Sequence, residues 1–131
     1  MRFDGPLEVG ARGGHGPIRY TVSAYTPARS VYFVFTGPRG FHGWHGFEVR
    51  SLDAHSCLLS HRLEMQARGV ARLSWPLCFR WLHDACVEDA LTRAEVSLDL
   101  TPQVQPWSLQ VRLIRWIVSK GRAPPQPDPK G

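Results

Sequence analysis

At 131 residues, 43% hydrophobic and 21% charged, the chain has apolar material for one ordinary domain with its own core, and its composition argues against wholesale disorder. Sixteen basic against eleven acidic side chains leave a formal charge of +5, but the arginines are scattered and no reader motif accompanies them, so nucleic acid is not expected as a partner. No apolar run approaches the roughly 20 residues of a membrane span, and Asp4 and Glu8 follow Arg2 where a secretory leader would turn apolar, so a cytoplasmic protein without stable membrane insertion is expected.

Residues 1–16 are glycine-rich, with one short strand candidate at Leu7 to Ala11. The run Gly13, Gly14, His15, Gly16 lacks the Lys and Ser or Thr of a phosphate loop and reads as a hairpin turn. From Pro17 to Met65 apolar residues alternate with polar ones. Ile18, Tyr20, Val22 and Ala24 share one face of a first segment, and Val31, Phe33 and Phe35 that of a second. His45, Phe47 and Val49 follow in a third, and Cys57, Leu59, His61, Leu63 and Met65 in a fourth. Period two means a sheet with one face buried and the other wet. Arg19, Glu48, Arg50, Arg62 and Glu64 fall on the wet face.

Turns are expected at Thr26–Arg29, across the loop Gly37–Gly43, and at Leu52–Ala54. Pivots near Gly40 and on Asp53 predict two rows of facing side chains: Val22, Phe33, Phe47, Leu59, and Tyr20, Phe35, His45, His61.

After Gly69 the period changes to about 3.6. Ser74 is the expected N-cap of a long helix reaching Leu98, with Trp75 and Pro76 in its first turn. Trp75, Phe79, Leu82, His83, Cys86, Val87, Ala90, Leu91, Ala94 and Leu98 form its apolar stripe, whose natural resting place is the buried face of the sheet. Asp84, Glu88, Thr92 and Glu95 lie on the other half of the wheel, and Trp81 points the same way. Cys78 and Cys86 are too far apart along one helix to bridge, so the three cysteines are expected as reduced, buried thiols. A second helix is predicted from Pro106 to Ser119, with Trp107, Val111, Ile114 and Val118 on one side, Arg112 and Arg115 on another, and Gly121 as its cap. It is expected to pack on the flank of the domain rather than lie in a membrane interface. The Pro-rich tail, 121–131, is expected to be disordered.

The stretches Gly16–Tyr20, Phe33–Gly37, His45–Val49 and Leu59–Leu63, with Trp75, Pro76, Leu77, Leu82, His83, Asp84 and Ala90–Glu95, resemble bacterial members of the START-like superfamily, the polyketide cyclase/dehydrase and lipid-transport domains. The resemblance covers about residues 5 to 98 and rests on diffuse patterns rather than a catalytic motif. It implies an α+β helix-grip fold: a curved antiparallel sheet of about five strands around a long C-terminal helix, with the helix near 106–119 added. The domain would span 1–98, the accessory helix 99–120 and the tail 121–131. The opening strand and two short helices usual in such domains have no counterpart before Pro17, which leaves room for a homodimer that covers the open side.

The ligand implied is a small hydrophobic molecule, lipid, polyketide-like or aromatic, in a cavity between sheet and helix. Its lining would be Tyr20, Val22, Phe33, Phe35, His45, Phe47, Leu59, His61, Leu63, Phe79, His83 and Cys86. His45, His61 and Tyr20 would supply the polar contacts, and buried imidazoles facing each other would disfavour their charged forms. The alternative is a cyclase or dehydratase with a cavity His or Tyr20 as general acid or base, although no catalytic residue is assigned. His83 beside Asp84 is not expected to form a dyad, because adjacent helix residues diverge. Three histidines without an HExxH or paired CxxC do not define a metal site, and neither metal nor cofactor is expected.

Overall fold

The computed structural model describes residues 2–121. Six antiparallel strands form one open sheet in chain order: β1 (Arg2–Phe3), β2 (Arg12–His15), β3 (Ile18–Thr26), β4 (Ser30–Gly37), β5 (Phe41–Ser51) and β6 (Cys57–Ala67). A helical run, α1, comprises an α turn (Ala71–Ser74), a π turn (Trp75–Phe79) and a long α stretch (Arg80–Val96), and α2 spans Leu109–Val118. The class is α+β, with six strands where about five were expected. The chain divides into two compact units, Met1–Arg72 and Leu73–Gly131.

The additional strand comes from the glycine run. Gly13–His15 lie in β2 rather than in a turn, and the turn falls at Gly16 and Pro17. A Cβ on Gly13 would lie 2.7 Å from Phe3 Cδ1, so the missing side chain lets the Phe3 ring cross β2. Leu7 to Ala11 is not a strand: Leu7 and Val9 are exposed, and Asp4 Oδ1 accepts from the Arg12 N–H at 2.9 Å to close the loop.

The inner face of the sheet keeps the predicted parity, with two changes of register. Tyr20 faces Phe35 and Val22 faces Phe33, as the turn at Thr26–Arg29 predicts. Phe33, however, faces His45, because the strands run on to Gly37 and resume at Phe41, leaving Pro38–Gly40 as the turn. Gly40 has φ +94, and a Cβ there would meet the Arg68 carbonyl at 2.5 Å, so this position needs glycine. Phe47 faces His61 and His45 faces Leu63, which moves β6 by two residues from the expected pairing. The cause is Asp53. Its Oδ1 accepts from the His55 N–H (2.8 Å) and its Oδ2 from the Ser56 hydroxyl (2.6 Å), extending the loop to Ser56. The Ser56 hydroxyl and then the His55 N–H hold the Asp53 carboxyl below its ordinary range. A slip of two preserves the face, so the aromatic set stays together while its neighbours change. One residue is lost from it. The register shifts between Val22 and Ala24, where the bulge pairs Ala24 with Tyr32 and brings Tyr25 opposite Val31.

On the outer face Tyr32 and Trp44 meet edge to face at 5.5 Å, and the Tyr32 hydroxyl donates to Glu48, which also pairs with Arg62 at 3.8 Å. The bond to Glu48, then burial, pushes the Tyr32 phenol above its ordinary 10.0. An acid whose folded value is raised stabilises the fold fully below its unfolded value, and that contribution is lost as pH climbs through the folded one. Tyr32→Phe is expected to flatten the alkaline fall in stability above about pH 10, read from urea midpoints. Wild type and variant losing stability in parallel from pH 8 to 11 would refute this.

In the second unit, the helix starts earlier than predicted. Ser74 has helical φ −69 and ψ −28 and makes no side-chain cap. Pro76 therefore stands inside the helical run, where it cannot donate to the preceding turn, and the widened π turn accommodates it. Its carbonyl accepts from Trp81 Nε1 at 3.1 Å, which is how Trp81 is held on the polar side. Along the stripe Leu82, Cys86, Val87, Ala90, Leu91 and Ala94 are half-buried, while Leu98 is exposed. The helix closes at Asp99, φ +57, with Leu100 N–H bonding Glu95 O at 3.1 Å.

Helix α2 begins at Leu109 rather than Pro106, because the Ser108 hydroxyl accepts from the Val111 N–H. At its end Lys120 takes the left-handed position at φ +52, so Gly121 is the second cap residue and donates to Trp116 O at 2.8 Å. No helix among the described residues is long and apolar enough to cross a membrane. The expected disordered tail lies, after Gly121, outside the described residues.

Candidate functional site

Nine of the twelve predicted ligand-lining residues fall on the inner face of the sheet: Tyr20, Val22, Phe33, Phe35, His45, Phe47, Leu59, His61 and Leu63. Tyr20, Val22, Phe33 and His45 are at most 2% exposed. His45 is the hub. Its ring lies flat against Phe35 (centroids 5.0 Å apart, planes at 17°), 4.9 Å from Phe33 and 5.1 Å from Tyr20. Its Nδ1 lies 3.4 Å from Nε2 of His61, whose ring meets Phe47 edge on at 4.8 Å. The two histidines are thus diagonal neighbours rather than the directly facing pair of the predicted register.

At 3.4 Å the imidazole contact is a long hydrogen bond, with one nitrogen protonated and the other offering its lone pair. Two nitrogens bound at about 2.0 Å to a tetrahedral ion would stand about 3.3 Å apart, so the spacing also suits two metal ligands.

The other three predicted residues, Phe79, His83 and Cys86, stand on α1. His83 is buried, packs against Trp75 at 5.8 Å, and brings Nδ1 within 3.1 Å of Asp84 Oδ1. Adjacent helix positions diverge at Cβ, but these two side chains bend toward each other across that divergence. Asp84 remains exposed and also pairs with Arg80 at 3.7 Å. Burial pushes the Cys86 and Cys78 thiols up, which favours their protonated form. Cys57, expected to be buried, is exposed at the start of β6.

Three residues of the face were missed. Phe3 stacks on Phe33 at 5.9 Å and meets Tyr20 at 6.1 Å. His15 lies 5.8 Å from Tyr20, and Phe41 is 4% exposed. Phe3 and His15 sat in segments read as loop, and Phe41 in the long glycine loop. The usable signal was the period-two spacing of Gly13 and His15, and that of Phe41, His45 and Phe47 with Gly43 between them. Comparisons with family models, curated proteins and solved structures yield no match to this chain.

Proposed function

We propose that the chain binds a small aromatic or apolar molecule against the inner face of its sheet, with His45 and His61 orienting one polar group of that ligand. The observation that carries this reading is a donor–acceptor imidazole pair set among Tyr20, Phe33, Phe35 and Phe47, a buried apolar cluster with one polar anchor. A groove of about 160 Å³ beside it, lined in part by Tyr25, Val31, Phe47 and Val49, supports an entry at the Phe47 end. The sequence resemblance to START-like domains, which hold lipids and polyketides, points the same way.

The test is a thermal-shift and native mass-spectrometry screen of the full chain against hydroxylated aromatics, fatty acids and polyketide mimics. A binder whose affinity falls about tenfold in His61→Phe, the size of one lost hydrogen bond in a dry site, is expected. No binder in any class, or equal affinity in wild type and His61→Phe, would overturn the reading. The His45–His61 contact also favours a second reading, acid–base chemistry on a polyketide-like chain, in which one imidazole accepts a proton as the other donates. It requires turnover that falls in both His45→Ala and His61→Ala.

A further inference from the structure

The opposite face of β1–β3 carries a second constellation, independent of the aromatic one. Arg2 faces Gly14 across β1 and β2, and Gly14 faces Arg19 across β2 and β3. Facing residues in antiparallel strands share a side, and Arg12 lies two residues from Gly14. Arg2, Arg12 and Arg19 therefore project from one face around a position with no side chain. These residues, with Asp4, Gly13, His15 and Gly16, line an open cleft of about 580 Å³.

The centre of this cleft is built. A Cβ on Gly14 would lie 2.4 Å from Ile18 O and 2.9 Å from Arg19 Nη1, so the Arg19 guanidinium occupies the space the glycine leaves. Arg19 Nη1 donates to Gly16 O at 2.6 Å and to Ile18 O at 2.9 Å. Those two bonds fix the plane of the fork while Nε and Nη2 keep their N–H groups for another acceptor. None of the three arginines has a carboxylate within ion-pair distance among the described residues. Asp4, the cleft's one carboxylate, uses Oδ1 on the Arg12 backbone N–H. Three guanidinium charges less one carboxylate leave a formal +2.

We propose that Arg2, Arg12 and Arg19, arranged around Gly14, bind the phosphate group of a phosphate monoester. A dianion matches the net charge, and its oxygens suit the planar forks of arginine. A fork already anchored to two carbonyls loses little freedom on binding.

The test is a titration of the isotopically labelled full chain with inorganic phosphate and with glycerol 3-phosphate, followed by amide NMR, together with flotation on phosphatidylcholine vesicles with and without phosphatidic acid. Saturable shifts at the Gly13–Gly16 amides are expected. Arg12→Gln and Arg2→Gln, both at exposed positions, should each weaken binding about tenfold, as loss of a charge-assisted bond does. Arg50→Gln, at an exposed position on β5, should leave it unchanged. Glycerol 3-phosphate binding without flotation assigns a free small molecule, and flotation abolished by Arg12→Gln assigns a lipid headgroup; either supports the site. Failure to saturate with phosphate or glycerol 3-phosphate together with no Arg12-dependent flotation, or equal weakening by Arg50→Gln and Arg12→Gln, would overturn it.

Discussion

Phe33→Ala is expected to destabilise the sheet unit by about 3–5 kcal/mol, the largest effect of any single truncation on the inner face. Phe33 is 2% exposed and stands where three aromatic contacts meet: Phe3 stacked at 5.9 Å, Tyr20 at 5.0 Å and His45 at 4.9 Å. Truncation removes the transfer free energy of a buried ring and leaves a hole whose walls are themselves rigid rings, which relax poorly into it. It also takes away the packing that keeps His45 against Phe35, so the variant should lose any affinity that depends on the imidazole pair. Val34→Ala, at the next residue but on the outer face and 42% exposed, should cost less than about 1 kcal/mol. Urea unfolding of the two variants, read by the same probe, makes the comparison. Equal midpoints would show that Phe33 is no part of the core and that the aromatic cluster does not hold the sheet together.

That cluster was legible because it depends on parity alone. Alternation placed Tyr20, Val22, Phe33, Phe35, His45, Phe47 and His61 on one face, and slips of two residues in β4–β5 and β5–β6 left them there. Which of them touch was not legible, since that depends on loop length. Whether the Asp53 side chain folds over His55 and Ser56 decides if Phe47 meets Leu59 or His61. The bulge after Val22 has no marker at all in the alternation, and it exchanged Ala24 for Tyr25. In α1, Pro76 in the sequence points to the first turn, its commonest helical place, whereas in the fold a π turn absorbs it. The arginine cleft was hidden for a different reason. Arg2, Arg12 and Arg19 look scattered along the chain and meet only once β1 and β2 exist as strands, which the glycines conceal.

In the second unit the decisive residue is one the helical wheel did not single out. Asp89 Oδ1 accepts from Trp107 Nε1 at 3.0 Å, its Oδ2 accepts from Arg115 Nη2 at 3.1 Å, and the Arg115 guanidinium carbon lies 3.7 Å over the Trp107 ring. Arg115, read from the sequence as lying on a polar side of its helix, is instead 17% exposed and paired with a carboxylate that is 19% exposed. Asp89→Ala is therefore expected to cost about 2–4 kcal/mol, less than a fully dry ion pair because some water reaches both partners, but well above a surface bridge. Most of that cost is the charge left behind: Arg115 would keep its burial and lose its acceptor, and its Nε has no hydrogen-bond partner among the described residues. Removing both charges should accordingly hurt less than the two single losses added, so Asp89→Ala with Arg115→Met is expected to recover part of the stability of Asp89→Ala alone. Glu88→Ala, one residue away and exposed, should change little. Hydrogen exchange across Leu109–Val118 reads the effect locally: faster exchange in Asp89→Ala and near-normal exchange in Glu88→Ala are expected, whereas indistinguishable protection in the two would show that this ion pair does not anchor α2.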